Sequence, residues 1–340
     1  MRRARSVLSA PRPSLEGMTA MAQDSAHGRS VTGQPADAAA SSPDSPVDPT
    51  GTPRRPSLSP SRAADFKTCP LLYRFRTIDR LPERRSLAAV RGTLVHAVLE
   101  RLYDLPARRR TAEAARELVA PAWEELRADP EVAALFAEGG AADDAAAEQP
   151  PSLQAWLASA GKLVETYFSL EDPSRIEPHG REELVEVTLP DGLLLRGYVD
   201  RLDVAPNGAL RVVDYKTGSM PREAFEGKAL FQMKFYALVL WRTRGVVASQ
   251  LKLLYLGNGD ALTYAPDEAE LVRFERTLQA IWAAIERAVA TGDFRPNRTR
   301  LCDWCDHQAL CPSFGGTPPP FPTAAAAAAG WPTLPVVERE

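Results

Sequence analysis

Two hydrophobic periodicities divide this chain. Between Leu87 and Tyr103 the apolar residues Val90, Leu94, Val95, Val98, Leu99 and Leu102 recur at steps of three and four, the stripe of a helix with one buried face. Ser59-Pro60-Ser61 reads as a helix start, followed by Ala64, Phe66, Cys69 and Leu72. Two further helical segments are expected over residues 111–128 and 152–169. The period then shortens. Residues 183–189, 193–204 and 209–215 alternate or run rich in β-formers, and Asn207-Gly208 is the dipeptide of a tight hairpin, whose central residues need positive φ. Helical spacing returns at 228–242, a strand candidate lies at 250–255, and a long helix covers about 267–291. A helical front, a β meander and helices behind predict an α/β or α+β fold, with a mixed sheet flanked by helices.

The ends lack either period. Residues 1–56 are rich in Ser, Pro, Ala, Gly and Asp, too little apolar surface to offset the entropy of ordering, so a disordered tail is expected there. Residues 315–340, with Pro318–Pro320 and the alanine run 324–329, predict a second, and the acidic stretch 136–150 a mobile insertion. The folded body is expected at 57–314, one domain. No run of about 18 apolar residues occurs, and Pro11 and Pro13 interrupt the basic start before a signal-peptide core forms, so a cytoplasmic protein with no membrane partner is expected.

The net charge of −3 neither requires nor excludes a nucleic-acid partner. Between Ser59 and Arg91, however, eight basic residues face three acidic ones, a local excess that can attract phosphates or simply be a solvated face.

The chemistry concentrates in Gly197-Tyr-Val-Asp200 and Val212-Val-Asp214-Tyr-Lys216-Thr-Gly218. Alternate side chains of a strand share a face, so Asp214 and Lys216 point together and Tyr215 points away. The hairpin adds Asp200. Two carboxylates are hard oxygen ligands suited to Mg²⁺ or Mn²⁺. A lone Asp-x-Lys is usually a surface ion pair, but the apolar flanks here bury the strand bodies.

In order along the chain, these residues resemble the RecB-type branch of the PD-(D/E)XK nuclease superfamily, which includes RecB and AddB nuclease domains and CRISPR-associated RecB-like exonucleases. Gly92-Thr-Leu-Val-His96 resembles its G-x-x-x-H helix, Gly197-Tyr-Val-Asp200-Arg-Leu-Asp203 its G-x-x-D-R-x-D strand, and Asp214-Tyr-Lys216-Thr-Gly its D-x-K-T-G strand. Gln232-Met-Lys-Phe-Tyr236 resembles its Q-x-x-x-Y helix, and Gln232 and Tyr236, four apart, share a helix face. The resemblance implies a restriction-endonuclease-like core. It implies a metal site of His96, Asp200, Asp214 and the Tyr215 carbonyl, with Glu186 as a further ligand and Glu183 its rival. Lys216, Gln232 and Tyr236 would complete the catalytic set.

Cys302-x-x-Cys305-x₅-Cys311 closes the body, and Cys69 lies far upstream. Four thiols in a cytoplasmic protein suit zinc or an iron–sulfur cluster, which spacing does not separate. The resemblance extends to Cys69-Pro-Leu-Leu-Tyr73 and Cys311-Pro312, and implies a 4Fe–4S cluster tying the N-terminal helix to the chain end in a cysteine lobe. His307 is an alternative ligand, and Trp304 and Tyr73 are expected to cover the cluster.

The function so implied is a Mg²⁺- or Mn²⁺-dependent exodeoxyribonuclease, a hydrolase of phosphodiester bonds. It would act on single-stranded DNA ends in repair or recombination, alone or with a helicase or repair complex. No G-x-x-x-x-G-K-[ST] phosphate loop occurs, so the chain carries no ATP motor of that type. A non-cleaving nucleic-acid-binding module is the alternative, against which the intact Asp200, Asp214 and Lys216 weigh. A redox iron–sulfur protein would leave the hairpin and helix motifs without purpose.

Overall fold

The computed structural model describes residues 55–136, 151–220 and 226–331. Nearly all of the expected tail over 1–56, most of the acidic insertion and residues 332–340 lie outside the described residues.

Helix α1 (Pro60–Thr68) begins as its sequence suggests. The Ser59 hydroxyl accepts the Arg62 N–H at 3.2 Å, and Pro60 sits in the first turn, where its missing N–H costs nothing. A short α2 (Pro70–Tyr73) runs into π-helical turns over Arg74–Asp79, and α3 (Leu87–Leu102) is capped by Ser86. The helix expected over 111–128 is two, α4 (Ala112–Glu117) and α5 (Val119–Leu126). Pro121 explains the break, because it cannot donate to the Glu117 carbonyl and its ring crowds that oxygen. Helices α6 (Pro130–Ala134) and α7 (Leu153–Leu170) complete the front.

Strands β1 (Gly180–Thr188), β2 (Leu194–Val204) and β3 (Leu210–Lys216) form the antiparallel meander. Helix α8 (Glu226–Arg244) then crosses over to β4 (Gln250–Tyr255), which pairs parallel to β3. An edge strand, β5 (Asp260–Tyr264), follows, and the sheet order is β1-β2-β3-β4-β5. The pattern of apolar residues did not predict β5, which is half exposed; its signal is the turn dipeptide Asn258-Gly259, with Gly259 at φ +70°.

The mixed sheet is flanked by helices on both faces. On one, α8 and α9 (Glu268–Thr291) enclose a core containing Val212, Phe235, Leu251, Leu253 and Leu278. On the other, α3, α5 and α7 pack over Val213, Tyr215 and Leu254. Successive residues of β3 thus enter different cores, which is why it reads as a continuous apolar run.

The stretch after Gly315 departs from the expected disordered tail. Phe321 stacks on Phe294 with ring centroids 5.8 Å apart, and Trp331 lies 5.0 Å from Trp282. The Pro319 carbonyl accepts from Arg74, and α10 (Thr323–Ala328) buries Ala326. Two aromatic anchors outweigh a composition that, averaged, resembles a linker. Among the described residues, no helix is long and apolar enough to cross a membrane.

Candidate active site

The site forms where the sheet comes apart. The β2–β3 ladder runs from Val204 and Leu210 to Arg201 and Val213 and stops. Asp200 and Asp214 are the next residues in that register, so they face each other where the strands separate. The Asp200 carboxylate fills the gap and accepts the Tyr215 N–H at 2.7 Å. On the other side, β1 pairs with β2 before and after Asp200 but skips Glu182, whose φ is +42°. That angle is strained for a non-glycine residue, and strain of this kind persists where the surroundings enforce it.

Helix α3 brings His96 to this gap. Its Nδ1 lies 3.5 Å from Asp200 and 3.6 Å from Glu182, and its Nε2 lies 3.0 Å from the Tyr215 carbonyl oxygen. One ligand atom each from His96, Glu182 and Asp200 fall within 4.8 Å of one another. Asp214 is buried, with Lys216 Nζ 2.6 Å from its Oδ2. Lys216 also donates to Gln232 at 2.8 Å, and Gln232 donates to the Tyr236 hydroxyl at 3.0 Å. The structure therefore brings together His96, Asp200, Asp214, Lys216, Gln232 and Tyr236, with the Tyr215 carbonyl beside them.

The electrostatics show crowded negative charge. Burial, then the neighbouring charge of Asp214, pushes the Asp200 carboxyl up to about 7. Burial opposes charge on His96, but the hydrogen bond to Glu182 and the charges of Asp200 and Asp214 outweigh it and raise the ring to about 9. For Lys216 too, burial is overcome by Asp214, which holds the ammonium above its ordinary range. Three carboxylates against one lysine and one histidine make a site that an oxygen-seeking divalent cation suits.

Glu186 does not join this group. It opposes Arg196 in the β1–β2 ladder, 3.8 Å from its guanidinium, and lies four residues, about 13 Å, along the strand from Glu182. Glu183 accepts from Arg244 at 2.9 Å. The residue that sequence reasoning missed is Glu182. Its position opposite Asp200 follows from the hairpin register, and its orientation from a backbone angle that no alternation rule anticipates.

Beneath the site lies a second group, built around Arg201 and Asp203 of the same strand motif. Arg201 is fully buried and donates to the hydroxyls of Tyr103, Tyr167 and Tyr215 at 2.9–3.1 Å, to Glu171 at 2.7 Å and to Asp203 at 3.1 Å. Lys252 donates to the other oxygen of Glu171, and Arg211 shares the Oδ2 of Asp203 with Arg201. The Tyr215 ring is thus clamped on one face of β3 while its carbonyl faces His96.

Gly197 is required by close approach. A Cβ there would lie 2.8 Å from Tyr236 Cε1, so Gly197→Ala must displace that ring and, through Gln232, the contact to Lys216. The expected result is a loss of about tenfold to a hundredfold in turnover with the melting temperature little changed, checked by steady-state kinetics beside a thermal melt.

The four cysteines line one small apolar pocket between the end of α1 and the short turns after Thr299. The Asn297 and Thr299 amides donate to the sulfurs of Cys69 and Cys302 at 3.4 and 3.3 Å. Burial pushes the Cys305 thiol up, and the other three sulfurs add to this. His307 bonds Glu83 at 2.9 Å. Tyr73 is buried against Phe66, but Trp304 is 78% exposed and does not cover the pocket as expected.

A family model for the PD-(D/E)XK nuclease superfamily matches residues 57–312. The chain is 26% identical over 285 residues to the Gene 69 protein of Mycobacterium phage D29, a match covering 76% of this chain and 97% of that protein. It is also 26% identical over 296 residues to the Gene 69 protein of Mycobacterium phage L5, with the same coverage. Among solved structures, a candidate exonuclease from Eubacterium rectale superposes with a TM-score of 0.46 at 14% identity, over 74% of this chain and 87% of that one.

Proposed function

This chain belongs to the PD-(D/E)XK nuclease superfamily, and we propose that it is a Mg²⁺- or Mn²⁺-dependent exodeoxyribonuclease. The observation that carries this reading is the convergence of Glu182, Asp200, Asp214 and His96 on the gap between β2 and β3, with Lys216 at its edge. The cation would be held by His96, Glu182, Asp200, Asp214 and the Tyr215 carbonyl. The chemistry it adds when bound is Lewis acidity toward the phosphoryl oxygen and the attacking water. The chain's own contribution is orientation and charge. Lys216, kept protonated by Asp214 and aimed by Gln232, offsets the negative charge that builds on the phosphate. Tyr236 fixes Gln232, and the resemblance of this pair to the family's Q-x-x-x-Y helix supports a place beside the strand to be cut.

Action on single-stranded ends, a cytoplasmic place in repair or recombination, and a helicase or repair-complex partner rest on the resemblance of the four motifs to RecB-type nucleases. The same resemblance supports a nuclease domain over 57–314 and a structural 4Fe–4S cluster on Cys69, Cys302, Cys305 and Cys311. Anaerobically purified protein is expected to carry iron and acid-labile sulfide in equal amounts; stoichiometric zinc without iron overturns that assignment.

End-labelled single-stranded DNA tests the main reading. Degradation should require Mg²⁺ or Mn²⁺, and Lys216→Ala should slow it about 10²- to 10³-fold. Cleavage that persists undiminished in a chelator, or in Lys216→Ala, would refute the site.

A further inference from the structure

Beside the acidic cluster lies a cavity of about 300 Å³ that the motifs leave unexplained. Gln232 lines both spaces and forms the partition between them. The lining chemistry changes abruptly across it. The acidic side holds Asp200 and Asp214; the cavity is bordered by two arginines, Arg62 and Arg196, and by no carboxylate. Two serines, Ser59 and Ser61, add hydroxyls at the start of α1, while Phe231, Tyr198 and Tyr236 supply aromatic walls.

Each feature is held by the fold. Arg62 anchors Nη1 on the buried Ser57, at 3.0 Å from its hydroxyl and 3.3 Å from its carbonyl. Arg196 keeps a loose 3.8 Å contact with the half-exposed Glu186. The Tyr236 ring rests directly against Gly197, where an added Cβ would lie 2.8 Å from Cε1, and so forms a close-packed wall of the cavity. A cavity of this size is at the small end of ligand pockets, about 300–1,000 Å³, and is enough for one nucleotide but not for a base pair. Guanidinium groups recognise phosphate, and aromatic faces stack bases irrespective of sequence.

We propose that this cavity is a subsite for one unpaired nucleotide adjoining the scissile phosphate, its phosphate met by Arg62 and Arg196 and its base set against Phe231. The inference rests on the nuclease reading and deepens it: the protein selects single strands because a paired base cannot enter. Gln232 would then sense both the neighbouring nucleotide and Lys216.

The test measures binding of the full chain to a short labelled single strand and to its blunt duplex by fluorescence anisotropy in EDTA, and cleavage separately with Mg²⁺. Arg62→Gln with Arg196→Gln should weaken single-strand binding about tenfold or more and reduce the salt slope by about 0.7 for each phosphate left unneutralised. Duplex binding should change far less. Phe231→Leu should weaken single-strand binding about five- to tenfold with the salt slope unchanged, since stacking carries no charge. Arg196→Gln alone, with a melt for each variant, covers the case in which the double variant does not fold. If the wild type cleaves but these variants bind single strands as it does, the subsite fails and the nuclease reading stands. Equal weakening on duplex and single strand also overturns it, by making the cavity a general phosphate surface. A wild type that neither binds nor cuts DNA removes both.

Discussion

Asp214→Asn is expected to reduce cleavage by about 10³-fold or more while leaving the metal-free protein as heat-stable as the wild type, or more so. The loss follows from removing one charged oxygen ligand from the proposed cation site, where several kcal/mol of transition-state stabilisation are at stake. The stability follows from crowding. Asp214 is 1% exposed, and its charge is the largest cause after burial of the raised Asp200 carboxyl. The neutral amide has the same shape, lifts that repulsion, and leaves Lys216 bonded to Gln232. Thermal melts should therefore converge in chelator and diverge with added Mg²⁺, which stabilises only a protein that binds it. A melting temperature several degrees below wild type in chelator would mean that the Lys216 pair holds the strands together, and that the carboxylates are structural.

The largest effect on stability is expected at Arg201. Arg201→Met removes the one cation that reaches three tyrosine hydroxyls and two carboxylates in a fully buried space. Breaking a buried pair from one side costs about 3–5 kcal/mol, because the partner charges stay behind. Lys252 and Arg211 still hold Glu171 and Asp203, which sets the estimate at the lower end. Urea unfolding measures it, and a change under about 1 kcal/mol would show the network to be dispensable.

The same network predicts a pH dependence. Burial works against the charge on Glu171, but Arg201 and Lys252 hold its carboxyl below the ordinary 4.5. A carboxyl depressed in the folded state binds fewer protons folded than unfolded. Its contribution is therefore complete above pH 4.5 and is lost as pH falls through the folded value. Arg201→Met should flatten that acid limb; a variant whose stability falls with acid as steeply as the wild type's would contradict it.

Much of this was legible in the chain. The 3.6 and 2.0 periods located α3, α7, α8, α9 and the first four strands, because a buried face imposes its own spacing on a sequence. Asp214 and Lys216 share a face for the same local reason, and Asn207-Gly208 determined that Asp200 would lie nearby. Strand β5 escaped because its five residues bury too little to show a period. The segment after Gly315 escaped because two aromatic anchors vanish in an average over prolines and alanines.

What the sequence by itself determined is everything set by neighbours within a turn, a strand or a hairpin: the elements, their buried faces, and the pairing of acid with lysine on β3. Tertiary structure decided which glutamate enters the site: a backbone angle set where β1 meets α3 and β2 turns Glu182 toward His96, while Glu183 pairs with Arg244 and Glu186 with Arg196 farther along the strand. It alone gathered Tyr103, Tyr167 and Tyr215 around Arg201, and Arg62 and Arg196 around one cavity. Contacts between elements far apart in sequence depend on how whole faces pack, and packing leaves no spacing in the chain to read.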